Sequence, residues 1–251
     1  MRTAINLYSV RDLDEPTSEV LERVAAAGYD GVQFSGDHTP EKDDPEAIAD
    51  ALDEFDLDAA PAHIPITTLE EDLAATVDTY ESVDVDGAVI PSLSADYYQD
   101  RDVAQDAADR LNAVHDDLRA ASDWSFHYHN HAREFNAFDG TTGFDVLLAE
   151  TDILMELDVG WARAAGVDPV RTIRDLGERA EVLHMKDMKT EVEGDAEFAE
   201  IGEGDVDMLA CAEAAKDAGT EWLIYEHDMP EDAAASLATG GAYLSDLLDR
   251  L

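Results

Sequence analysis

Short apolar runs alternate with amphipathic stretches from one end of the chain to the other. The runs Thr3–Ser9, Gly31–Phe34, Asp58–His63, Asp86–Pro91, Ser125–Asn130, Leu154–Asp158, Val182–Lys186 and Trp222–His227 have strand length and strand composition. Between and after them the apolar spacing turns to three and four, as in Val20, Leu21 and Val24, which predicts helices. The predicted helices are Thr17–Ala27, Pro45–Phe55, Thr68–Tyr80, Val103–Ala121, Gly143–Ala149, Pro169–Glu178, Val206–Ala218 and Ala234–Leu251. Proline opens two of them, where a missing N–H costs nothing. Eight strand–helix pairs without a break in composition predict one domain over residues 1–251, an α/β chain closed as a (β/α)8 TIM barrel. An open dinucleotide-binding sheet calls for a glycine-rich turn after the first strand, and Val10-Arg-Asp-Leu-Asp14 has none. Thr190–Gly204 is long for a βα connection and reads either as a lid or as a plain surface loop.

Three late runs end on metal-type ligands: Asp158, His184 and Glu226. Strand C-termini of a β/α barrel converge on one face, so these three side chains should meet there and suit a divalent cation. The fifth run, Trp124-Ser-Phe-His-Tyr-His-Asn-His-Ala-Arg-Glu-Phe135, holds three of the eight histidines. Alternation sends His127, His129 and His131 to one face, with His129 and His131 near the mouth and Glu134 in the loop beyond. His127, deepest, reads as a hydrogen-bonding barrel residue. Lys186 shares a face with His184 and either holds a substrate oxygen or pairs with Asp187 or a nearby glutamate. Trp161 and Arg163 follow the sixth strand and are candidate substrate contacts, or Trp161 packs structurally under the loop. His63 and Gln33 are candidate pocket residues, Tyr8 a weaker one, and His38 and His115 read as solvent-facing. Gly202-Glu-Gly-Asp205 lacks the Lys-Ser/Thr of a phosphate loop and reads as a turn with Asp205 capping the next helix.

Tyr128-His-Asn-His-Ala-Arg-Glu-Phe135 resembles the Tyr-His-Asn-His-x-x-Glu-Phe signature of the sugar phosphate isomerase/epimerase superfamily, the xylose isomerase-like TIM barrels. Glu156–Val170, Val182–Met188, Ile201–Asp207 and Ile224–Asp228 are similar to its later strands and turns, and Gly28–Gln33 to its second strand, with Gln33 where many relatives carry Glu. Asp158-x-x-Trp161 with Gly166-x-Asp168-Pro169 is nearest the branch with 3-keto-glycoside-processing enzymes. The resemblance implies a divalent metal on Glu134, Asp158, His184 and Glu226. Many relatives place the first ligand inside strand five, where this chain has His129, so either Glu134 or His129 supplies it. Mn²⁺, Mg²⁺ or Co²⁺ suits such a set, with Zn²⁺ as a further candidate. The implied chemistry is proton abstraction next to a carbonyl of a sugar, sugar phosphate or cyclitol through an enediolate. Glu134 and Glu226 would move the proton, with His129 or His131 as general acid and Lys186 stabilising charge. Loss of a β-leaving group would make the same site a lyase or dehydratase on 3-keto-glycosides or keto-inositols; the other classes are metal-dependent hydrolysis, as in the endonuclease IV relatives of this barrel, against which the charge speaks, and a non-catalytic sugar-binding barrel. By analogy a homodimer is expected.

Composition narrows the partners. Sixty acidic residues stand against 16 basic ones, a formal net charge of −44, and only Lys42, Lys186, Lys189 and Lys216 are lysines. Such a surface argues against nucleic acid and anionic membranes and fits a salt-accumulating halophile. Cys211 is alone and no secretion signal or 20-residue apolar run stands out, so the cytoplasm is the expected compartment.

Overall fold

The computed structural model describes residues 1–190 and 196–251. Eight parallel strands form the barrel: β1 Arg2–Asn6, β2 Gly31–Gln33, β3 in two pieces Asp58–Ala59 and Ala62–His63, β4 Gly87–Ile90, β5 Ser125–His129, β6 Leu154–Asp158, β7 Val182–Met185 and β8 Trp222–Tyr225. The first piece of β3 pairs with β2 and the second with β4. β3 therefore closes the ring, which runs on through β5, β6, β7, β8 and back to β1. Its interruption falls at Pro61, which has no N–H to give to a ladder.

The helices are α1 Thr17–Ala26, α2 Pro45–Phe55, α3 Ile66–Glu81, α4 Arg101–Ala121, α5 Gly143–Glu150, α6 Val159–Ala164, α7 Pro169–Leu176, α8 Met208–Ala218 and α9 Ala233–Leu248. Asp44 and Asp168 each cap a helix that begins with proline, accepting two backbone N–H groups apiece. Such a cap contributes about 1 kcal/mol. α8 is capped by Asp207, which accepts from Ala210 N at 3.0 Å; the expected cap, Asp205, instead accepts from Thr190 N at 2.5 Å. No described helix is long and apolar enough to cross a membrane.

Outward-facing strand residues pack on the helices in one large core that includes Ile5, Val32, Ile90, Phe126, Tyr128, Leu157, Leu183 and Tyr225. Inside the ring a small plug of Ala4, Ala60, Val182, Trp222 and Ile224 fills the barrel. Two residues on, the same inward faces turn polar: Asn6 follows Ala4, His184 follows Val182 and Glu226 follows Ile224. The plug thus sets the depth at which chemistry begins.

Part of the stretch expected as a loop or lid is a hairpin. Asp187–Lys189 pairs antiparallel with Glu197–Ala199, and residues 191–195 between them lie outside the described residues. Asp187 organises the return. Its Oδ2 accepts from Gly202 N and Gly204 N, both at 2.9 Å, and its Oδ1 from Met188 N at 2.9 Å and Val206 N at 3.2 Å. A Cβ on Gly204 would lie 2.2 Å from Asp187 Oδ1, so the glycine is what allows the turn to close on the carboxylate.

Candidate metal centre and cavity

At the C-terminal end of the barrel, His129, Asp158, His184 and Glu226 each present one donor atom, and the four atoms lie within 4.8 Å of one another. Strand register brings them there: His184 is level with Asp158 on one side and Ile224 on the other, and His129 is level with Glu156. All four are buried. Asp158 divides its oxygens. Oδ1 caps α6 by accepting from Trp161 N at 2.8 Å, while Oδ2 stays in the centre, 3.3 Å from His129 Nε2.

The hydrogen bonds behind the two histidines fix which nitrogen faces inward. His129 Nδ1 lies 3.1 Å from Pro91 O, which can only accept, so Nδ1 carries the proton and Nε2 points a lone pair at the centre. Burial lowers the pKa of His129 and keeps the ring neutral. His184 Nε2 lies between two acceptors, Gln33 Oε1 at 2.8 Å and Glu156 Oε1 at 3.0 Å, and so donates. Its Nδ1 faces Glu226 Oε2 at 2.9 Å and Asp158 Oδ2 at 4.0 Å. Burial alone would lower the His184 pKa, but the carboxylates of Glu156 and Glu226 outweigh it and push it up to about 10.

Glu156 is the residue that sequence reasoning overlooked. It is fully buried beneath the centre, takes His63 Nε2 on Oε1 and Gln33 Nε2 on Oε2, both at 2.5 Å, and backs His184. Burial would raise its pKa; His184 and His63 hold it well below the carboxylate range. Its position two residues before Asp158 on one strand was the available signal. A carboxylate behind a ligating histidine fixes the ring's tautomer and orientation. Gln33 belongs to this layer rather than to a pocket wall: Asn6, Pro61, Glu156 and His184 take up its amide. His127, deeper still, bonds Glu181 at 2.7 Å.

Lys186 is 1% exposed and enters the same centre. Its Nζ is 2.9 Å from Asp158 Oδ2, 2.7 Å from Glu226 Oε2 and 3.1 Å from Asp228 Oδ2. Burial would lower its pKa, and the three carboxylates raise it well above the usual lysine value. Asp187 is not its partner. Gly160 lets α6 sit against this lysine, since a Cβ there would be 2.7 Å from Lys186 O.

Glu134 does not join the group. A 3-10 turn, Ala132–Phe135, begins two residues past the strand and closes a capping box on His131. Glu134 Oε2 accepts from His131 N at 2.9 Å, and Oε1 accepts from Tyr128 OH at 2.8 Å, on the helix side of β5. Burial raises the Glu134 pKa. His129, the other candidate for that place, is the one brought to the centre.

A cavity of about 600 Å³ opens above the centre, lined there by His63, His129, His131, Lys186, Glu226 and Asp228, and across the mouth by Tyr8, Thr39, Glu41 and Thr68. His131 accepts from Arg133 on Nδ1 at 3.2 Å, which leaves Nε2–H as a donor, and burial pushes its pKa down to about 2. Burial and the Glu226 charge push Asp228 up to about 6. Trp161 and Arg163 are not among the described lining residues; Trp161 leans on His131 and Phe198, with Lys186 Nζ 5.3 Å from its ring. His38 is buried at 5% exposure against Thr17, contrary to the expected solvent position, and His115 is half-buried on Phe126. A second cavity, about 500 Å³ at the opposite end of the barrel, is lined mainly by acidic side chains and Arg2, and contains none of the metal-type group.

The donor set fits a divalent cation. Donors about 2.0–2.2 Å from one ion lie up to roughly 4.4 Å apart, within a few tenths of an ångström of the observed spread. The His129 lone pair and Asp158 Oδ2 face each other with no proton between them, and the positive charge this calls for comes from the Lys186 ammonium, 2.9 Å from Asp158 Oδ2, or from a cation that takes its place.

A family model described as xylose isomerase-like TIM barrel matches residues 21–246. No curated protein matches the sequence. Among solved structures, a sugar phosphate isomerase/epimerase from Parabacteroides distasonis is similar at TM-score 0.81 and 21% identity, over 97% of this chain and 93% of that one. A probable 3-DHS dehydratase involved in petrobactin synthesis, from Bacillus anthracis, is similar at TM-score 0.78 and 13% identity, over 98% and 99%. The IOLI protein, with a bound zinc atom, is similar at TM-score 0.73 and 14% identity, over 100% and 99%.

Proposed function

The chain belongs to the xylose isomerase-like TIM-barrel family, and we propose that it is a divalent-metal-dependent isomerase or epimerase of a sugar or cyclitol, working by proton abstraction next to a carbonyl. The observation that carries this reading is the convergence of two histidines, two carboxylates and a buried lysine at the floor of one cavity. His129, Asp158, His184 and Glu226 would hold the cation, with Glu156 fixing His184 from behind. The cation supplies Lewis-acid stabilisation of negative charge on the substrate's carbonyl oxygen. The protein supplies the rest. His131 Nε2–H donates to a substrate oxygen. Lys186 offsets charge that develops beside Glu226 and Asp228. Asp228 faces the cavity and, at about 6, is matched to taking and returning a proton near neutrality. Such a positioned base contributes roughly 10²–10⁴-fold.

The same chain of events gives a dehydratase or 3-keto-glycoside lyase when a β-leaving group departs, a reading favoured only by the shared fold of the dehydratase. The test is solvent deuterium. Protein loaded with Mn²⁺ should exchange the hydrogen next to a keto-sugar carbonyl in D₂O. Asp228→Asn should lose exchange while still binding the sugar. Sugar binding without any exchange in the wild type would leave a non-catalytic sugar-binding barrel.

A further inference from the structure

The cavity is larger than the proposed chemistry needs. A hexose occupies about the volume of six water molecules at ~30 Å³ each, roughly a third of the 600 Å³ available. The remaining space reaches the loops after β1, β2, β3, β4 and β8.

Two features describe what fits there. The first is apolar surface. Three large apolar side chains are exposed among the described residues: Met1 at the N-terminus, Tyr8 at 38% and Met229 at 69%. Tyr8 and Met229 both line this cavity. Tyr8 is held as a platform. The Arg11 guanidinium lies 4.1 Å over its ring and ties down Tyr8 O at 2.8 Å and Asp228 O at 2.5 Å. A fixed aromatic ring and an exposed methionine on the walls of one cavity offer surface to another ring.

The second feature is charge. Each lysine or arginine that lines the cavity is already engaged. Lys186 holds three carboxylates, Lys42 holds Asp37 at 2.8 Å and Gly36 O at 2.7 Å, and Arg11 holds two carbonyls. Glu41, Glu226 and Asp228 add negative charge to the walls. A phosphate would meet carboxylates, and Arg11, the lining cation held by carbonyls rather than by a carboxylate, is turned onto the Tyr8 ring.

We infer that Tyr8 and Met229 form a second subsite, which takes an uncharged apolar or aromatic ring attached to the reacting sugar, and that the substrate carries no phosphate. This rests on the proposed sugar chemistry of the centre, but its test is separate. Calorimetry on Mn²⁺-loaded protein in molar KCl would compare glucose, methyl β-glucoside, phenyl β-glucoside and glucose 6-phosphate. The phenyl compound should bind about tenfold tighter than the methyl one, a factor that one buried ring edge supplies. Tyr8→Ala and Met229→Ser should each bring that ratio toward one, and glucose 6-phosphate should bind no better than glucose. A ratio of one in the wild type, a ratio untouched by both substitutions, tighter binding of the phosphate, or no binding of any of the four would overturn the subsite. Phenyl preference without deuterium exchange would keep the subsite and remove the proton-abstraction reading. Exchange without phenyl preference would do the reverse.

Discussion

Replacing Lys186 by methionine removes its ammonium from a buried group of carboxylates while keeping the side chain's bulk. In the wild type Nζ lies 2.7–3.1 Å from Glu226, Asp158 and Asp228, and the lysine is 1% exposed. Breaking a buried ion pair by deleting one partner costs about 3–5 kcal/mol, because the other charge stays desolvated. For a chain of this size each kcal/mol moves the melting temperature by about 2–4 °C, so metal-free Lys186→Met should melt ~6–20 °C lower. A divalent cation restores the missing charge. At a hundred times its dissociation constant it contributes about 2.7 kcal/mol, so Mn²⁺ should recover a large part of the loss in the variant. In the wild type the cation competes with the lysine for Asp158 and Glu226 and should raise the melting temperature less. The assay is thermal denaturation with chelator and with Mn²⁺, at fixed high KCl. A variant melting within about 2 °C of wild type, or equal Mn²⁺ gains in both proteins, would refute the idea that these carboxylates require a cation.

Proton linkage gives a second prediction. The folded-state pKa of His184, about 10, lies above its ordinary value of 6.5, so the protonated ring stabilises the metal-free fold fully below pH ~6.5 and loses that contribution as pH rises toward 10. Metal uptake must expel the proton on Nδ1, so the metal dissociation constant should fall about tenfold per pH unit between pH 7 and 9; a flat profile in a competition assay contradicts this. The charge of −44 gives a third. At about 1 M salt the screening length shrinks to ~3 Å, which removes most of the repulsion between surface carboxylates. The melting temperature should therefore climb steadily from 0.1 to 2 M KCl, and a protein equally stable in dilute buffer would show that the acidity has another cause.

Short apolar runs and period-two alternation carried most of what the sequence revealed. Apolar runs that end on a ligand set Asp158, His184 and Glu226 at strand C-termini, and strand register puts Asp158 level with His184 and Glu226 two residues beyond. Alternation, applied one step back from Asp158, reaches Glu156, whose role became visible only when His63, Gln33 and His184 were seen around it. Glu134 and His129 show where alternation stops. Whether the chain continues as strand or tightens after His129 depends on a capping box between His131 and Glu134, a local hydrogen-bond choice that apolar periodicity does not report. Asp228 lies beyond β8, where loop geometry alone aims it at Lys186. The hairpin of Asp187–Lys189 with Glu197–Ala199 has strands only three residues long, too short for an alternation to stand out in sequence. α6 escaped notice because its cap, Asp158, reads in sequence only as a strand end.

The most direct test of the centre is the metal content of purified wild-type, His129→Ala and Glu134→Gln proteins after loading with Mn²⁺ and removal of free ion. About one ion per chain in the wild type and in Glu134→Gln, with loss in His129→Ala, is the result expected of the His129, Asp158, His184 and Glu226 set. Retention in His129→Ala with loss in Glu134→Gln, or no ion in the wild type at all, would contradict it.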